Sequence, residues 1–198
     1  EEIRDQIKLA ETQTLKEGDE DMATTYETIN TYEKDNIFYL EINRPDELNA
    51  LNKTVLDEMS DAIKNIDVSK YKGAILTGVG EKSFIAGADI TAMSKMTPEE
   101  TQVFAETGQA VTLAMEDLAL PMIACVHGFA LGGGCEMAMS CDFIFASKQA
   151  VFGQPEVKWG VLPAFGGTQR LPKYIGRNRA KELIYSGEFI DVDKAYEW

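Results

Sequence analysis

The sequence predicts an α/β fold, because short apolar segments of strand length alternate with longer segments of helical periodicity. Gly73 to Thr77 and Met122 to Val126 are short runs of mainly apolar residues, as in buried strands. Asn52 to Ile66 instead repeats its apolar residues along one helical face. With 198 residues, 44% of them apolar, the chain is long enough for one domain with a substantial core.

The first elements are two strands followed by an amphipathic helix. Thr25 to Tyr32 and Ile37 to Asn43 favour strands, and the polar residues 33–36 between them favour a turn. The helix predicted over Asn52 to Ile66 has an apolar face of Val55, Leu56, Met59, Ala62, Ile63 and Ile66. Gly73 to Thr77 then forms the next strand.

The middle of the chain continues the alternation. Thr97 is followed by Pro98 and, three positions on, by Glu100, which is a capping box with proline at the first helical position. The helix that it opens is predicted to run to about Leu118. After the Met122 to Val126 strand, we expect a short helix over 135–140 and a further strand over 142–146.

Residues 1–21 differ from the rest, with eight acidic and three basic residues and no aromatic residue. They lack the apolar stretch of a secretory signal and the Arg-rich composition of a transit peptide. We therefore interpret 1–21 as an acidic leader of undecided origin, and 22–198 as one domain that begins at the plausible initiator Met22.

Composition and charge narrow the range of partners. The net charge of −14 argues against binding to nucleic acid or to an anionic membrane surface. The longest apolar runs are far shorter than the roughly 20 residues that span a bilayer. Cys125, Cys135 and Cys141 have neither disulfide-like nor metal-ligand spacing, which predicts free thiols, no metal site and a cytoplasmic location.

Two glutamates stand out by their local sequence. Glu136 follows the glycine run Gly132 to Gly134, and Glu156 follows a Gly-Gln-Pro turn. A glycine-rich turn that leads into a helix presents free N–H groups to a developing oxyanion, and two nearby carboxyl groups can move protons. The residues alone leave a catalytic pair and two ordinary carboxylates about equally favoured. His127, the single histidine, is better interpreted as structural than as a general base.

Five motifs in order resemble those of the crotonase (enoyl-CoA hydratase/isomerase) superfamily. They are Arg44 to Leu51, Ser83 to Ile90, Ile123 to Glu136, Phe152 to Glu156 and Gly166 to Pro172. The resemblance covers roughly Met22 to Trp198. It implies a spiral of β-β-α repeats followed by a helical C-terminal region, which we expect to be missing here because the sequence stops at Trp198.

The resemblance also implies roles for individual residues. Glu136 and Glu156 match the glutamate pair that holds a water, one as base and the other as acid. The N–H groups of Ala88 and Gly133 match the oxyanion hole that polarises a thioester carbonyl. Segments that line the CoA groove match Leu48, Ala50, Ala86, Asp89 and Ile90. Candidates for the acyl pocket are Phe84, Met93, Met96, Phe104, Trp159 and Phe165.

These matches imply reversible hydration of a 2-enoyl-CoA to a 3-hydroxyacyl-CoA. The alternatives are an enoyl-CoA isomerase or a non-catalytic acyl-CoA-binding module. Coenzyme A would be part of the substrate, with no separate cofactor, and the family resemblance implies a homotrimer or a dimer of trimers. Thr91 departs from the pattern, since relatives often carry a lysine there beside the nucleotide end of CoA.

Overall fold

A computed structural model describes residues 25–198. The predictions for 1–21 and for Met22 lie outside the described residues. Within residues 25–198 the chain forms nine strands: β1 Ile29–Lys34, β2 Ile37–Ile42, β3 Gly73–Gly78, β4 Ser83–Ile85, β5 Met122–Val126, β6 Phe129–Leu131, β7 Phe143–Ala146, β8 Val151–Gly153 and β9 Phe189–Asp191. Seven α-helices accompany them: α1 Lys53–Lys64, α2 Ile90–Met93, α3 Pro98–Glu116, α4 Gly133–Met139, α5 Gly167–Ile175, α6 Arg177–Ser186 and α7 Val192–Glu197.

The strands form two sheets. The first has the order β1-β2-β3-β5-β7, with β1 antiparallel to β2 and all other neighbours parallel. The second has the order β4-β6-β8-β9, parallel except for the last pair. The chain moves from the first sheet to the second at β3–β4, again at β5–β6 and again at β7–β8, and a helix follows each step. This is the predicted spiral of β-β-α repeats.

The core lies between the first sheet and the long helices. Leu40, Ile42 and Leu76 of the central strands are fully buried. The six residues predicted for this apolar helical face are all buried; five of them lie in α1, which confirms the helix, and Ile66 follows its end. Burial of a complete apolar face stabilises a helix far more than its intrinsic propensity does.

Helix α3 begins where the sequence predicts. The Thr97 side chain accepts a hydrogen bond from the Glu100 N–H at 3.2 Å, and the Glu100 carboxylate accepts one from the Thr97 N–H at 2.8 Å. Pro98 occupies the first helical position, where its missing N–H costs nothing. The helix packs against α1 across the core.

Two differences from the prediction have physical causes. β1 begins at Ile29 rather than Thr25, because the N–H groups of Glu27 and Thr28 donate to the Glu58 carboxylate instead of to a neighbouring strand. The second sheet was not predicted at all. Its four strands are three residues each, too short to show alternation, and three of them lie inside or next to the glycine-containing motifs.

Candidate active site

One largely apolar cavity of about 680 Å³ contains both glutamates and both predicted oxyanion donors. It lies against the second sheet and is closed by α3 and by the chain after β8. Among its lining residues are Leu48, Ala86, Ala88, Ile90, Gly133, Glu136, Glu156 and Phe165. Seven of the nine site residues predicted from the sequence therefore meet at one cavity, while Ala50 and Asp89 do not line it.

The glycine run brings the start of α4 close to the second sheet. Gly132 has φ +51°, a backbone conformation that suits glycine. A Cβ on Gly134 would lie 2.0 Å from the Ile85 carbonyl oxygen of β4, so no larger residue fits. Gly133 is the first residue of α4, and its N–H therefore has no acceptor within the helix.

The second donor is exposed by a short parallel bridge between Leu51 and Ala88. The Leu51 N–H donates to the Gly87 carbonyl and the Asp89 N–H donates to the Leu51 carbonyl, each at 2.8 Å. This bonding uses the groups on either side of Ala88 and leaves the Ala88 N–H out of the bridge. Both predicted donor groups thus belong to residues of the cavity wall and are free of these backbone pairings.

A further polar side chain orients the Gly133 donor. Gln154 is completely buried, and its Nε2 donates to the Gly132 carbonyl at 3.3 Å. The same carbonyl accepts the Glu136 N–H at 3.0 Å. Because the Gly132 carbonyl and the Gly133 N–H belong to one peptide plane, these two bonds fix the direction of the donor. Sequence reasoning did not assign this role to Gln154, although the residue lies in a quoted motif.

Glu136 is almost completely buried, with 1% of its surface exposed. Its Oε1 accepts the N–H of Phe165 at 2.9 Å and that of Gly167 at 2.6 Å. Burial raises the pKa of Glu136 to about 7, and these two N–H donors oppose the rise because they favour the ionised carboxylate. The nearby Glu156 raises the same pKa further.

Glu156 lies on the 3-10 turn Pro155–Trp159, directly after β8. Both carboxyl oxygens are buried, and neither accepts a hydrogen bond of normal geometry from residues 25–198. Burial raises the pKa of Glu156 to about 7. Its Oε1 lies over the glycine run, since a Cβ on Gly132 would be only 3.2 Å from it. An uncompensated carboxyl group in such a place favours its neutral form.

The two carboxyl groups can therefore divide acid and base roles. Both have a pKa near neutral pH, where a group can give or take a proton. The surroundings of Glu136 supply donors to an anion, whereas those of Glu156 supply none. Together with two N–H groups in the same cavity, the arrangement suits proton transfer next to a carbonyl whose oxygen becomes negative.

Ala50 and Asp89 have structural contacts instead of a place in the cavity wall. Arg44 links them, donating to the Ala50 carbonyl and to the Asp89 carboxylate, the latter at 3.1 Å. Asp89 also caps α2 by accepting the Ala92 N–H at 3.0 Å. The contacts hold the loop that carries Leu48 and Ala88, and a direct role for Ala50 and Asp89 toward CoA stays a prediction.

Of the candidates for the acyl pocket, some line the cavity and others do not. Met93, Phe104, Trp159 and Phe165 line the cavity. Phe84 is fully buried in the core and Met96 packs against that core, so neither reaches the cavity wall. His127 lies outside the wall too, and burial lowers its pKa.

Two classes of feature are not found in the described part of the chain. Residues 25–198 contain no group of three or more His, Cys, Asp or Glu side chains placed to hold a metal ion. None of the helices within that range is long and apolar enough to cross a membrane.

The chain is similar to several proteins named as hydratases. It is 47% identical over 172 residues to the crotonyl-CoA hydratase of Syntrophomonas wolfei, covering 86% of this chain and 66% of that protein. It is 52% identical over 155 residues to the short-chain-enoyl-CoA hydratase of Clostridium acetobutylicum, covering 78% and 59%. It thus spans less than two thirds of the length of these two relatives.

Solved structures and a family model agree with this similarity. The crystal structure of the enoyl-CoA hydratase from Bacillus anthracis superposes with a TM-score of 0.83 at 36% identity, covering 86% of this chain and 67% of that one. The model of the enoyl-CoA hydratase/isomerase family matches residues 32–198. With the two sheets and the motif-lined cavity described above, these matches show that the chain belongs to the enoyl-CoA hydratase/isomerase family, the crotonase superfamily.

Proposed function

We propose that the protein catalyses the reversible hydration of a 2-enoyl-CoA to a 3-hydroxyacyl-CoA. One observation carries the proposal: two glutamates, whose carboxyl groups are buried in unlike hydrogen-bond surroundings, line the same cavity as two free backbone donors. The names of the two relatives support the same reaction.

In this mechanism the thioester carbonyl oxygen accepts hydrogen bonds from the N–H groups of Ala88 and Gly133. Attack on the β carbon turns the thioester into an enolate, and the negative charge develops on that oxygen. Fixed donors stabilise the developing charge without reorganisation, and the loss of one such donor typically costs about 10²–10³ in rate. The apolar lining strengthens the effect because it keeps bulk water away.

Glu136 acts as the base and Glu156 as the acid. The ionised Glu136 removes a proton from water as the water oxygen bonds to the β carbon. The electron pair of the Cα–Cβ double bond moves toward the carbonyl, and the neutral Glu156 then gives its proton to the α carbon. Glu136 ends protonated and Glu156 ionised, and proton exchange with solvent restores the starting forms. The net change is addition of H and OH across the double bond.

The substrate is proposed to be a short-chain enoyl thioester. The inner part of the cavity is closed by aromatic and aliphatic side chains, including Phe104 and Phe165, whose rings pack 5.5 Å apart. The volume of about 680 Å³ must hold the acyl group and part of the pantetheine arm. The names of the two relatives, crotonyl-CoA and short-chain-enoyl-CoA hydratase, support this substrate class.

The proposal is tested with crotonyl-CoA. We expect loss of the absorbance of the conjugated enoyl thioester, with 3-hydroxybutyryl-CoA as the product identified by mass spectrometry. The matched control is the double variant Glu136→Gln/Glu156→Gln, which keeps the shape of both side chains. Migration of a double bond without uptake of water would show an isomerase, and binding of acyl-CoA without turnover would show a non-catalytic module.

Assembly and location are also proposals. A homotrimer or dimer of trimers follows from the family, and exposed apolar side chains on β7, Phe143 at 59% and Phe145 at 64%, provide surface that an interface would cover. The three cysteines are free thiols, which agrees with a reducing compartment such as the cytoplasm. Light scattering at several concentrations measures the oligomeric state.

A further inference from the structure

The motif Gly166 to Pro172 contributes the Gly167 N–H to Glu136, and it also contains a buried arginine that has no role in the mechanism above. Arg170 is only 6% exposed and lies on α5. Its guanidinium passes directly over Gly166, where a Cβ would be 2.0 Å from Nη1. Gly166 has φ +104°, so both its conformation and the close approach of Arg170 require glycine. The chain is therefore shaped to bring this guanidinium to the loop before α5.

The guanidinium is bound to the loop that holds Glu136. Arg170 Nη1 donates to the Phe165 carbonyl at 2.7 Å. Thr112 Oγ1 lies 3.1 Å from the same oxygen and 2.9 Å from the Gln109 carbonyl, and its one proton is shared between them. On the other side of its Cα, the Phe165 N–H donates to Glu136 Oε1. Phe165 is thus held at its carbonyl by the side chains of Arg170 and Thr112, and its N–H points to Glu136.

The other end of the guanidinium is anchored on α3. Arg170 Nε and Nη2 each donate to one oxygen of Glu116 at 2.8 Å, a bidentate pair that fixes the guanidinium plane. Three elements converge through these bonds: α3 with Glu116 and Thr112, α5 with Arg170, and α4 with Glu136. Arg170 itself does not line the cavity, so it acts on Glu136 only through Phe165 and through its charge.

We propose that Arg170, held by Glu116, is a positioning residue that fixes the Phe165–Gly167 loop and thereby keeps Glu136 placed and ionised as the base. The inference rests on the proposed hydration reaction. It assigns a function to Arg170 within the motif Gly166 to Pro172, which contains neither of the two glutamates and neither oxyanion donor.

The positive charge of Arg170 lowers the pKa of Glu136, as expected for a residue that keeps this carboxyl group ionised. Facing it are Glu156 from the 3-10 turn, which raises the pKa of Glu136, and Arg170 from α5, which lowers it. The loop contributes two N–H donors that lower it too, and the neighbouring Cys135 on α4 is a buried thiol whose own pKa is raised by burial to about 12. Arg170 is the cation of this set, so its removal raises the pKa of Glu136.

The test compares substitutions of graded severity. We expect Arg170→Met to lower kcat by on the order of 10–10²-fold with KM changed less than about twofold, because a displaced base slows chemistry more than binding. Arg170→Lys should keep part of the activity. Thr112→Val removes a neutral hydroxyl that lies between the carbonyls of Phe165 and Gln109, and should lower kcat less than either. The matched control, Arg177→Met, removes an exposed arginine at the start of α6 and should leave kcat unchanged.

The pH profile separates positioning from a merely structural ion pair. In Arg170→Met, which removes the cation, the acidic limb of kcat/KM should move upward by about one pH unit. In Arg170→Lys, which keeps the charge but loses the bonds of the guanidinium, it should move upward less. Loss of thermal stability alone would not move that limb. Unchanged kcat and an unchanged acidic limb in folded Arg170→Lys and Thr112→Val variants would overturn the proposal, and these two decide the question if Arg170→Met does not fold.

A readout without substrate separates this inference from the proposed function. Infrared titration of the carboxyl band in a Glu156→Gln background isolates Glu136 among the buried carboxyl groups of the site. The band should titrate at higher pH when Arg170 is replaced. If the wild-type protein does not hydrate crotonyl-CoA, the proposed function fails, and this titration still tests the link between Arg170 and Glu136. An unchanged titration would contradict the link even in an active hydratase.

Discussion

The carboxyl groups on two sides of the cavity differ in the hydrogen bonds that they accept. On the fixed wall, made by Gly133, Glu136 and Phe165, the carboxylate of Glu136 accepts two backbone N–H groups. On the open wall, made by Glu156, Trp159 and Leu162, the carboxyl group of Glu156 accepts no hydrogen bond from residues 25–198. Burial raises both pKa values to about 7. Because donors to a carboxylate favour its ionised form, this difference in hydrogen bonding favours Glu136 over Glu156 as the ionised partner of the proposed pair.

The two walls also differ in their support. The fixed wall is backed by α3 and α5 through Thr112, Arg170 and Glu116. The open wall comes from the turn after β8, whose neighbours Trp159 and Leu162 are 62% and 75% exposed. We therefore expect substitutions on the fixed wall to affect activity and folding stability together, and those on the open wall to affect activity without lowering stability.

The largest expected effect is loss of either glutamate. Glu136→Gln and Glu156→Gln should each lower the hydration rate by about 10²–10⁴-fold, with little change in CoA affinity, because each removes one proton-transfer step. The double variant should lose clearly less rate than the product of the two single losses, because both groups are proposed to act on one water. Stopped-flow absorbance with crotonyl-CoA measures all three.

If Glu136→Gln and Glu156→Gln had the same free energy of unfolding, the conclusion that the two walls differ in structural support would be weakened. Glutamine at position 136 must place its carbonyl toward the N–H groups of Phe165 and Gly167, and its amide group has to fit in a buried site. Glutamine at 156 resembles the neutral acid that is already favoured there. Turnover near the wild-type level in either variant would remove that residue from the mechanism.

The next effect concerns the oxyanion donor on the fixed wall. Gly133→Pro removes the N–H while the first helical position tolerates proline, so activity should fall by at least about 10²–10³-fold. Gly133→Ala is the matched control. It keeps the N–H but adds a Cβ that would lie 3.1 Å from the Phe165 ring, and therefore measures crowding alone. Similar activities of the two variants would show that the N–H is not used.

The sequence could predict the first sheet but not the second. Strands β3 and β5 are apolar runs long enough to be recognised, and the predicted bounds of β5, Met122 to Val126, are confirmed. Strands β4, β6 and β8 are only three residues long, and their pairing depends on partners far away in the chain. Periodicity within so short a segment cannot reveal such pairing.

The residues of the candidate site likewise differ in whether the sequence can predict them. The glutamates and the glycine run are recognisable because residue type and local turn chemistry carry their signal. The role of Arg170 is not, because its partner Glu116 is 54 positions away and the backbone groups it fixes belong to no sequence pattern. Residue type and local sequence indicate the candidate reacting groups, whereas the fold determines which side chains hold them.

The pH dependence of stability tests the burial of both glutamates. A carboxyl group whose pKa is raised from 4.5 to about 7 by folding contributes stability below pH 4.5 that is lost as pH rises toward 7. Replacing both with glutamine should therefore make the protein more stable at pH 8, by about 1–3 kcal/mol, and should matter little at pH 4.5. Urea unfolding at the two pH values measures this, and an equal effect at both would contradict the raised pKa values.

The smallest effect lies outside both walls, where CoA would leave the cavity. Thr91 is exposed on α2 and follows Ile90, which lines the cavity. The chain has a net charge of −14, so one added cation near the CoA phosphates should matter. Thr91→Lys should tighten CoA binding by about 0.5–1.5 kcal/mol at low salt, and less at high salt. Lys95, exposed one helical turn further on, would limit the gain if it already contacts the phosphates.

A control variant with the same added charge at a distant position shows whether the effect of Thr91→Lys on CoA affinity depends on position. Thr54→Lys adds the same charge at an exposed position of α1 that does not line the cavity. Calorimetry at two salt concentrations should find tighter CoA binding for Thr91→Lys and almost none for Thr54→Lys, because a screened charge acts over only about 10 Å at 0.1 M salt. Equal gains would mean that total charge rather than position controls binding. No gain from Thr91→Lys would remove α2 from the phosphate end of the groove, leaving the two walls as the defined part of the site.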